Sequence, residues 1–153
     1  MKPNFNLNYK GIRCRVCLIR DGASDVVIKI SKPADAYELV KDELVHSDRE
    51  ILLSVMLTVN NDLIGVETVS IGSITASTTT PRDLFKSAIL ANAVAIIVCH
   101  NHPSGELIPS DSDIKITKQL IDAGELLGIK VLDHLIVSNK GYKSLRDHHE
   151  FPN

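Results

Sequence analysis

The sequence predicts an α/β domain built on a mixed β-sheet flanked by helices, in two or three layers. Two continuous apolar runs, Ile51–Val59 (ILLSVMLTV) and Ala93–Cys99 (AVAIIVC), suit central strands covered on both faces. Stretches with helical spacing follow clear start signals at Thr80-Pro81 and at Ser110. The length, 153 residues with 44% hydrophobic content, is enough for one domain with a sizeable buried core.

Taken in order, Met1–Lys10 is a polar, asparagine-rich terminus. Ile12–Arg20 alternates in the manner of a half-buried strand, Asp21–Asp25 is a turn, and Val26–Ile30 is a second strand. Residues 1–30 therefore form an extension with a short β-hairpin, and residues 31–153 form the main domain. Ser31 offers a helix cap and Pro33 a first-turn proline, ahead of Tyr37, Val40 and Leu44 at helical spacing. The helix ends near His46. Asn60-Asn61-Asp62 turns Ile51–Val59 back into Leu63–Ile71, an antiparallel pair. Ser73–Thr79 is a weaker extended stretch.

Thr80, Pro81 and Asp83 start a helix that runs to about Asn92, with Leu84, Phe85, Ala88 and Ile89 facing inward. Ala93–Cys99 is the second buried strand. Ser110 caps a helix that ends at Gly128, with Ile116, Leu120, Ala123 and Leu127 as its buried stripe. Val131–Ser138 is a strand, Asn139-Lys140-Gly141 a turn and Tyr142–Leu145 a short partner.

Composition narrows the function classes. No apolar run approaches the ~20 residues of a membrane span, and Met1–Lys10 has no apolar signal core. No membrane partner and a cytoplasmic location are the expectations. A net charge of −2 and 4% aromatic residues give nucleic acid little support as a partner. Cys14, Cys17 and Cys99 are too few and odd in number for a disulfide scaffold. Cys14 and Cys17 form a C-x-x-C, but no second pair of ligands accompanies it and a strand points them to opposite faces. They are read as strand residues with no metal role.

The chemistry concentrates in His100-Asn101-His102-Pro103-Ser104-Gly105-Glu106-Leu107-Ile108-Pro109-Ser110-Asp111-Ser112-Asp113. In a strand His100 and His102 share a face, so their imidazoles can converge on one ion. Asp113, in the first turn of a helix, sits where the dipole favours the ionised carboxylate a metal needs. Three protein ligands leave a fourth position for water, the mark of a catalytic zinc site, and such water has a pKa of about 7. Ser110 is placed to donate to a developing oxyanion.

Each residue has a plainer reading. Ser110-x-x-Asp113 is also a helix cap, a lone strand-end histidine is ordinary, and Asn101 and Pro103 can be turn residues. Together, however, two same-face histidines, a rigid loop and a capped helix with an acid at its mouth point to a metal. The general base must come from elsewhere. Glu106 lies in the loop and reads as solvated, whereas Glu50 and Glu67 stand as equal candidates on position alone.

The run H-x-H-P-S-G-x-x-x-P-S-x-x-D, His100 to Asp113, resembles the JAMM (MPN+) metalloprotease motif in the form carried by RadC-like proteins. Asp48-Arg49-Glu50, Val66–Ser70, Pro81–Lys86, Ala123–Gly128 and Val131–His134 resemble stretches of the same family, so the likeness covers roughly Ser31–Arg146. It implies a JAMM/MPN-like, cytidine deaminase-like domain. It further implies one zinc per chain on His100, His102 and Asp113, Glu50 as general base, and Ser110 steadying the tetrahedral intermediate. Related enzymes cleave peptide bonds or isopeptide bonds to ubiquitin-like modifiers, so the expected partner is a peptide or protein substrate. His134 lies outside the motif and is read as a neighbour or core-edge residue.

Full-length RadC proteins carry a helix-hairpin-helix region ahead of this domain. Here a short hairpin is expected in its place, which weakens the link to DNA. The competing readings are a DNA-associated accessory factor of repair or mobile elements, and a non-catalytic zinc-stabilised interaction module. In the latter the N-terminal hairpin would serve a partner strand or self-association.

Overall fold

The computed structural model describes residues 26–72 and 79–152, together with Cys17 and Gly22. Five strands, β1 (Ile51–Leu57), β2 (Leu63–Ile71), β3 (Ala95–Asn101), β4 (Lys130–Ser138) and β5 (Gly141–Ser144), form one sheet in the order β2-β1-β3-β4-β5. Only β3 and β4 run parallel; every other neighbouring pair is antiparallel. The helices are α1 (Pro33–Leu44), α2 (Pro81–Leu90) and α3 (Asp111–Leu127). A parallel pair needs a crossover, and α3 supplies it between β3 and β4.

The two apolar runs are the middle strands. Every residue of β1 and of β3 is buried, because each strand has a neighbour on both edges and a helix layer on both faces. Leu53, Val55, Leu57, Ala95, Ile97 and Cys99 pack with Ala36, Val40 and Leu44 of α1. Leu52, Met56, Ile96 and Val98 pack with Leu84, Phe85 and Ala88 of α2 and Ile116 and Leu120 of α3. The expectation of two or three layers resolves to three. No helix among the described residues is long and apolar enough to cross a membrane.

Several boundaries differ from the sequence expectation, each for a local reason. The cap of α1 is Lys32 rather than Ser31, because the Asp35 carboxylate takes the amides of both Ser31 and Lys32, at 2.8 and 3.1 Å. The expected strand at 26–30 is a single bridge, Lys29 to Asp62, beside the β1–β2 turn. There Ile30 N–H donates to Asn61 O at 2.9 Å and Leu63 N–H to Ile28 O at 2.8 Å. The other half of that hairpin, Cys14 included, and the stretch 73–78 lie outside the described residues. Cys17 is exposed, and Cys99 is buried with its thiol pushed up by burial.

In α2 the inward residues are Leu84, Phe85, Ser87 and Ala88, and Ile89 is exposed one residue before the helix ends. In α3 the buried stripe keeps Ile116 and Leu120 but runs through Thr117 and Gly124 rather than Leu127, which is exposed. β3 begins and ends two residues later than expected, so the metal motif starts inside the strand and not after it.

Candidate metal centre

His100 is the penultimate residue of β3, and alternation puts it on the face of Ile96 and Val98, beneath α3. His102 follows the strand end, where its N–H donates to Val137 O of β4 at 3.2 Å. Ser110 caps α3 and Asp113 occupies its first turn, so the helix mouth lies over the two imidazoles. His100, His102 and Asp113 are the one group of three or more His, Cys, Asp or Glu residues among those described whose ligand atoms converge.

The geometry fits a tetrahedral ion. His100 Nε2 lies 2.9 Å from His102 Nε2 and 3.3 Å from Asp113 Oδ1, and His102 Nε2 lies 3.4 Å from Asp113 Oδ2. Ligand atoms about 2.0–2.1 Å from a tetrahedral zinc are themselves about 3.3 Å apart. His102 also has its tautomer fixed. Its Nδ1 faces the carbonyl of Glu106 at 3.0 Å, and a carbonyl can only accept, so Nδ1 carries a proton and, in the neutral ring, Nε2 is the nitrogen that keeps the lone pair. Two imidazole nitrogens and a carboxylate oxygen suit zinc.

The electrostatics suit two of the three candidate ligands to a cation. Burial, reinforced by His134 and opposed by Asp113, pushes His100 well below the ordinary histidine range, so it is neutral. Burial would raise Asp113, but the hydrogen bond with His102, the nearness of His100 and the two bonds from Ser110 outweigh it and hold the carboxyl below its usual range. His102 behaves oppositely: its hydrogen bond with Asp113 outweighs burial and raises it, with the Glu50 charge adding to the effect. Of the two histidines, His102 is therefore the one for which a proton competes with a cation.

The Ser110 hydroxyl and amide both donate to Asp113 Oδ2, each at 2.7 Å, and Asp113 N–H donates back to Ser110 Oγ at 3.2 Å. The capping reading and the metal reading of this pair are thus one arrangement. The cap occupies Oδ2 and fixes the carboxylate with Oδ1 toward His100.

Glu50 is half-buried just ahead of β1. The β1–β3 ladder ends at Leu52 opposite His100, and beyond it the Asn101 side chain takes over. Ile51 N–H donates to Asn101 Oδ1 at 2.6 Å, and Asn101 Nδ2 donates to Arg49 O at 2.9 Å. Asn101 is therefore not a turn residue but a buried strap across Glu50. Glu67, the rival candidate, accepts a hydrogen bond from Ser87 of α2 and ties β2 to that helix. Glu106 contributes its backbone carbonyl, while its side chain pairs with Lys140 at 3.4 Å on the surface.

Sequence reasoning placed His134 at the edge of the core, and it is fully buried beside the centre. Its Nε2 lies 2.8 Å from His100 Nδ1 and its Nδ1 lies 2.5 Å from Thr117 Oγ1. Burial lowers it to about 4. The available signal was a histidine, next to Asp133, inside the mostly apolar run Val131–Ser138; Thr117 offered none.

Against known proteins, residues 30–150 match the family model described as the RadC-like JAB domain. The chain is 44% identical over 120 residues to a UPF0758 protein of Alkaliphilus oremlandii, covering 78% of this chain and 52% of the relative. It is 42% identical over 130 residues to one of Desulfitobacterium hafniense, covering 84% and 57%. For one of Moorella thermoacetica the values are 44% over 118 residues, 77% and 52%. The chain thus spans about half the length of the curated relatives it matches.

Proposed function

From the premise that the chain belongs to the RadC-like JAB domain family, we propose that it is a zinc-dependent hydrolase of peptide or isopeptide bonds. One zinc per chain is held by His100, His102 and Asp113. The observation that carries this reading is the convergence of three ligand atoms within 4.8 Å of one another at the mouth of α3. Half-buried Glu50 stands between Arg49 and Ile51, whose backbone groups Asn101 ties to the same strand end.

A zinc ion there supplies Lewis acidity toward a water and toward the scissile carbonyl. The rest falls to the chain's own side chains. Glu50 takes the proton of the attacking water on a carboxylate oxygen and returns it to the leaving amine nitrogen, acting as base and then acid. Ser110 Oγ donates to the oxyanion as it develops. That role requires its hydroxyl to turn from Asp113 Oδ2, whose bond with the Ser110 amide remains.

The test pairs metal analysis with a peptide-library digest, for the wild type and for Glu50→Gln. The expected result is about one zinc per chain in both, with cleavage by the wild type alone. Wild-type protein that takes up no zinc, or Glu50→Gln protein that cleaves as fast as wild type, overturns the proposal.

A further inference from the structure

The two histidine ligands are held in different ways. His102 faces the Glu106 carbonyl, a pure acceptor that fixes its tautomer unaided. His100 faces another imidazole, which can donate or accept. Nothing in that one contact, 2.8 Å between His100 Nδ1 and His134 Nε2, decides which ring gives the proton.

The decision lies two residues further on. His134 Nδ1 is 2.5 Å from Thr117 Oγ1, and Thr117 Oγ1 is 2.5 Å from the backbone carbonyl of Asp113. His100, His134, Thr117 and Asp113 are all at most 3% exposed, so water does not substitute for any partner. The Asp113 carbonyl can only accept, so the Thr117 hydroxyl donates to it and offers a lone pair to His134. His134 then carries its proton on Nδ1, and its Nε2 accepts from His100 Nδ1–H. That leaves the His100 lone pair on Nε2, the atom turned toward His102 and Asp113. Run in reverse, the chain would place the His100 proton on Nε2 and close the ligand position.

The fold sets this chain up. The parallel β3–β4 register pairs His134 with Val98, so His134 shares the face of His100 one step along the sheet. Thr117 lies one turn after Asp113 on the same side of α3. The chain starts at one ligand and ends on the backbone of another.

We propose that His134, backed by Thr117, is the positioning residue that locks His100 into the tautomer presenting Nε2 to the metal. This rests on the reading of His100, His102 and Asp113 as zinc ligands. Partners of this kind, behind a ligating histidine, typically account for 10–100-fold in metal affinity.

The experiment measures zinc affinity by competition with a chromophoric chelator in wild type, His134→Leu, His134→Gln and Thr117→Val. Long-range ¹⁵N–¹H spectra of the zinc-loaded wild type read the histidine tautomers directly. His134→Leu is expected to bind zinc 10–100-fold more weakly. His134→Gln, whose amide oxygen can accept from His100 Nδ1–H, is expected to recover most of that loss, and Thr117→Val to fall between. The spectra are expected to show both His100 and His134 protonated on Nδ1. A His100 proton on Nε2, or a folded His134→Leu protein with wild-type affinity, overturns the proposal alone. Wild-type protein that binds no zinc overturns it together with the ligand reading. If His134→Leu does not fold, Thr117→Val and the wild-type spectra decide: unchanged affinity in Thr117→Val, or the opposite tautomers, overturns the lock.

Discussion

Asn101 Oδ1 accepts the backbone N–H of Ile51 at 2.6 Å, so a side chain continues the ladder where the β1–β3 pairing stops. The same amide group donates to Arg49 O, and between those two anchors stands Glu50. The strand that carries the histidines therefore also fixes the backbone of the proposed base.

Asn101→Ala is expected to leave the buried Ile51 amide without a partner, a loss of about 1–3 kcal/mol. It should appear as a lower urea midpoint at unchanged slope. Zinc stoichiometry should not change, since no ligand atom is touched, while hydrolysis should fall because Glu50 loses its strap. A variant with wild-type stability would show that the amide finds another acceptor.

Ser110→Ala separates two roles the serine holds at once. Losing the cap should cost about 0.5–2 kcal/mol of stability. Asp113 Oδ2 would keep only the Ser110 amide, so zinc should still bind, though more weakly. At saturating zinc the cap loss no longer matters to occupancy. A kcat that remains depressed there is the expected result if the hydroxyl donates to the oxyanion, and a kcat fully restored by added zinc would confine Ser110 to the cap.

The extent to which all this was legible in the sequence follows the range of the interactions. Strands and helices announced themselves through local patterns: the apolar runs of β1 and β3, and the Thr80 and Ser110 starts. The histidine spacing and the Ser110-x-x-Asp113 turn are also local, and they held together. What was hidden depended on register between distant segments. On position alone Glu50 and Glu67 looked equivalent, and only the family resemblance singled out Glu50; local pattern could not show that Leu52 pairs with His100 or that Glu67 bonds Ser87. Asn101 read as a turn residue because its partners, Arg49 and Ile51, are some fifty positions away. His134 could not be connected to His100 without the parallel β3–β4 register.

Metal uptake should displace close to one ligand proton per zinc well below the His102 pKa and almost none well above it, where ionisation of the bound water adds a proton of its own. The sign follows from the directions of the shifts. His102 is raised above 6.5, so it carries a proton there that the metal must displace. His100 is pushed down and Asp113 is held low, so both are already in their ligating forms. Apparent affinity should then fall about tenfold for each pH unit below the His102 pKa. Calorimetry in buffers of different ionisation enthalpy counts the protons, and a release of two at a pH well below about 7, where the bound water stays intact, would mean that His100 is charged in the metal-free protein.

Gly124→Ala is expected to destabilise the fold strongly although it replaces a glycine within the last turn of α3, where alanine as a better helix former normally gains up to about 1 kcal/mol. An added Cβ would sit 2.4 Å from the Ile129 carbonyl oxygen, 3.2 Å from Phe85 Cζ and 3.4 Å from Val131 Cγ2. The first of these is backbone entering β4, which cannot swing aside as a side-chain tip would. The helix would have to lift from the sheet, at a cost of about 3 kcal/mol or more once the overpacking is counted against the propensity gain. Because α3 also carries Thr117 and Asp113, that shift should weaken zinc binding from the far end of the helix. Gly128→Ala makes the control. Its φ of 69° is left-handed but nothing crowds it, so it should cost about 1 kcal/mol and leave the metal centre untouched. Equal thermal shifts in the two variants would contradict the close approach of α3 to β4 as the reason for Gly124.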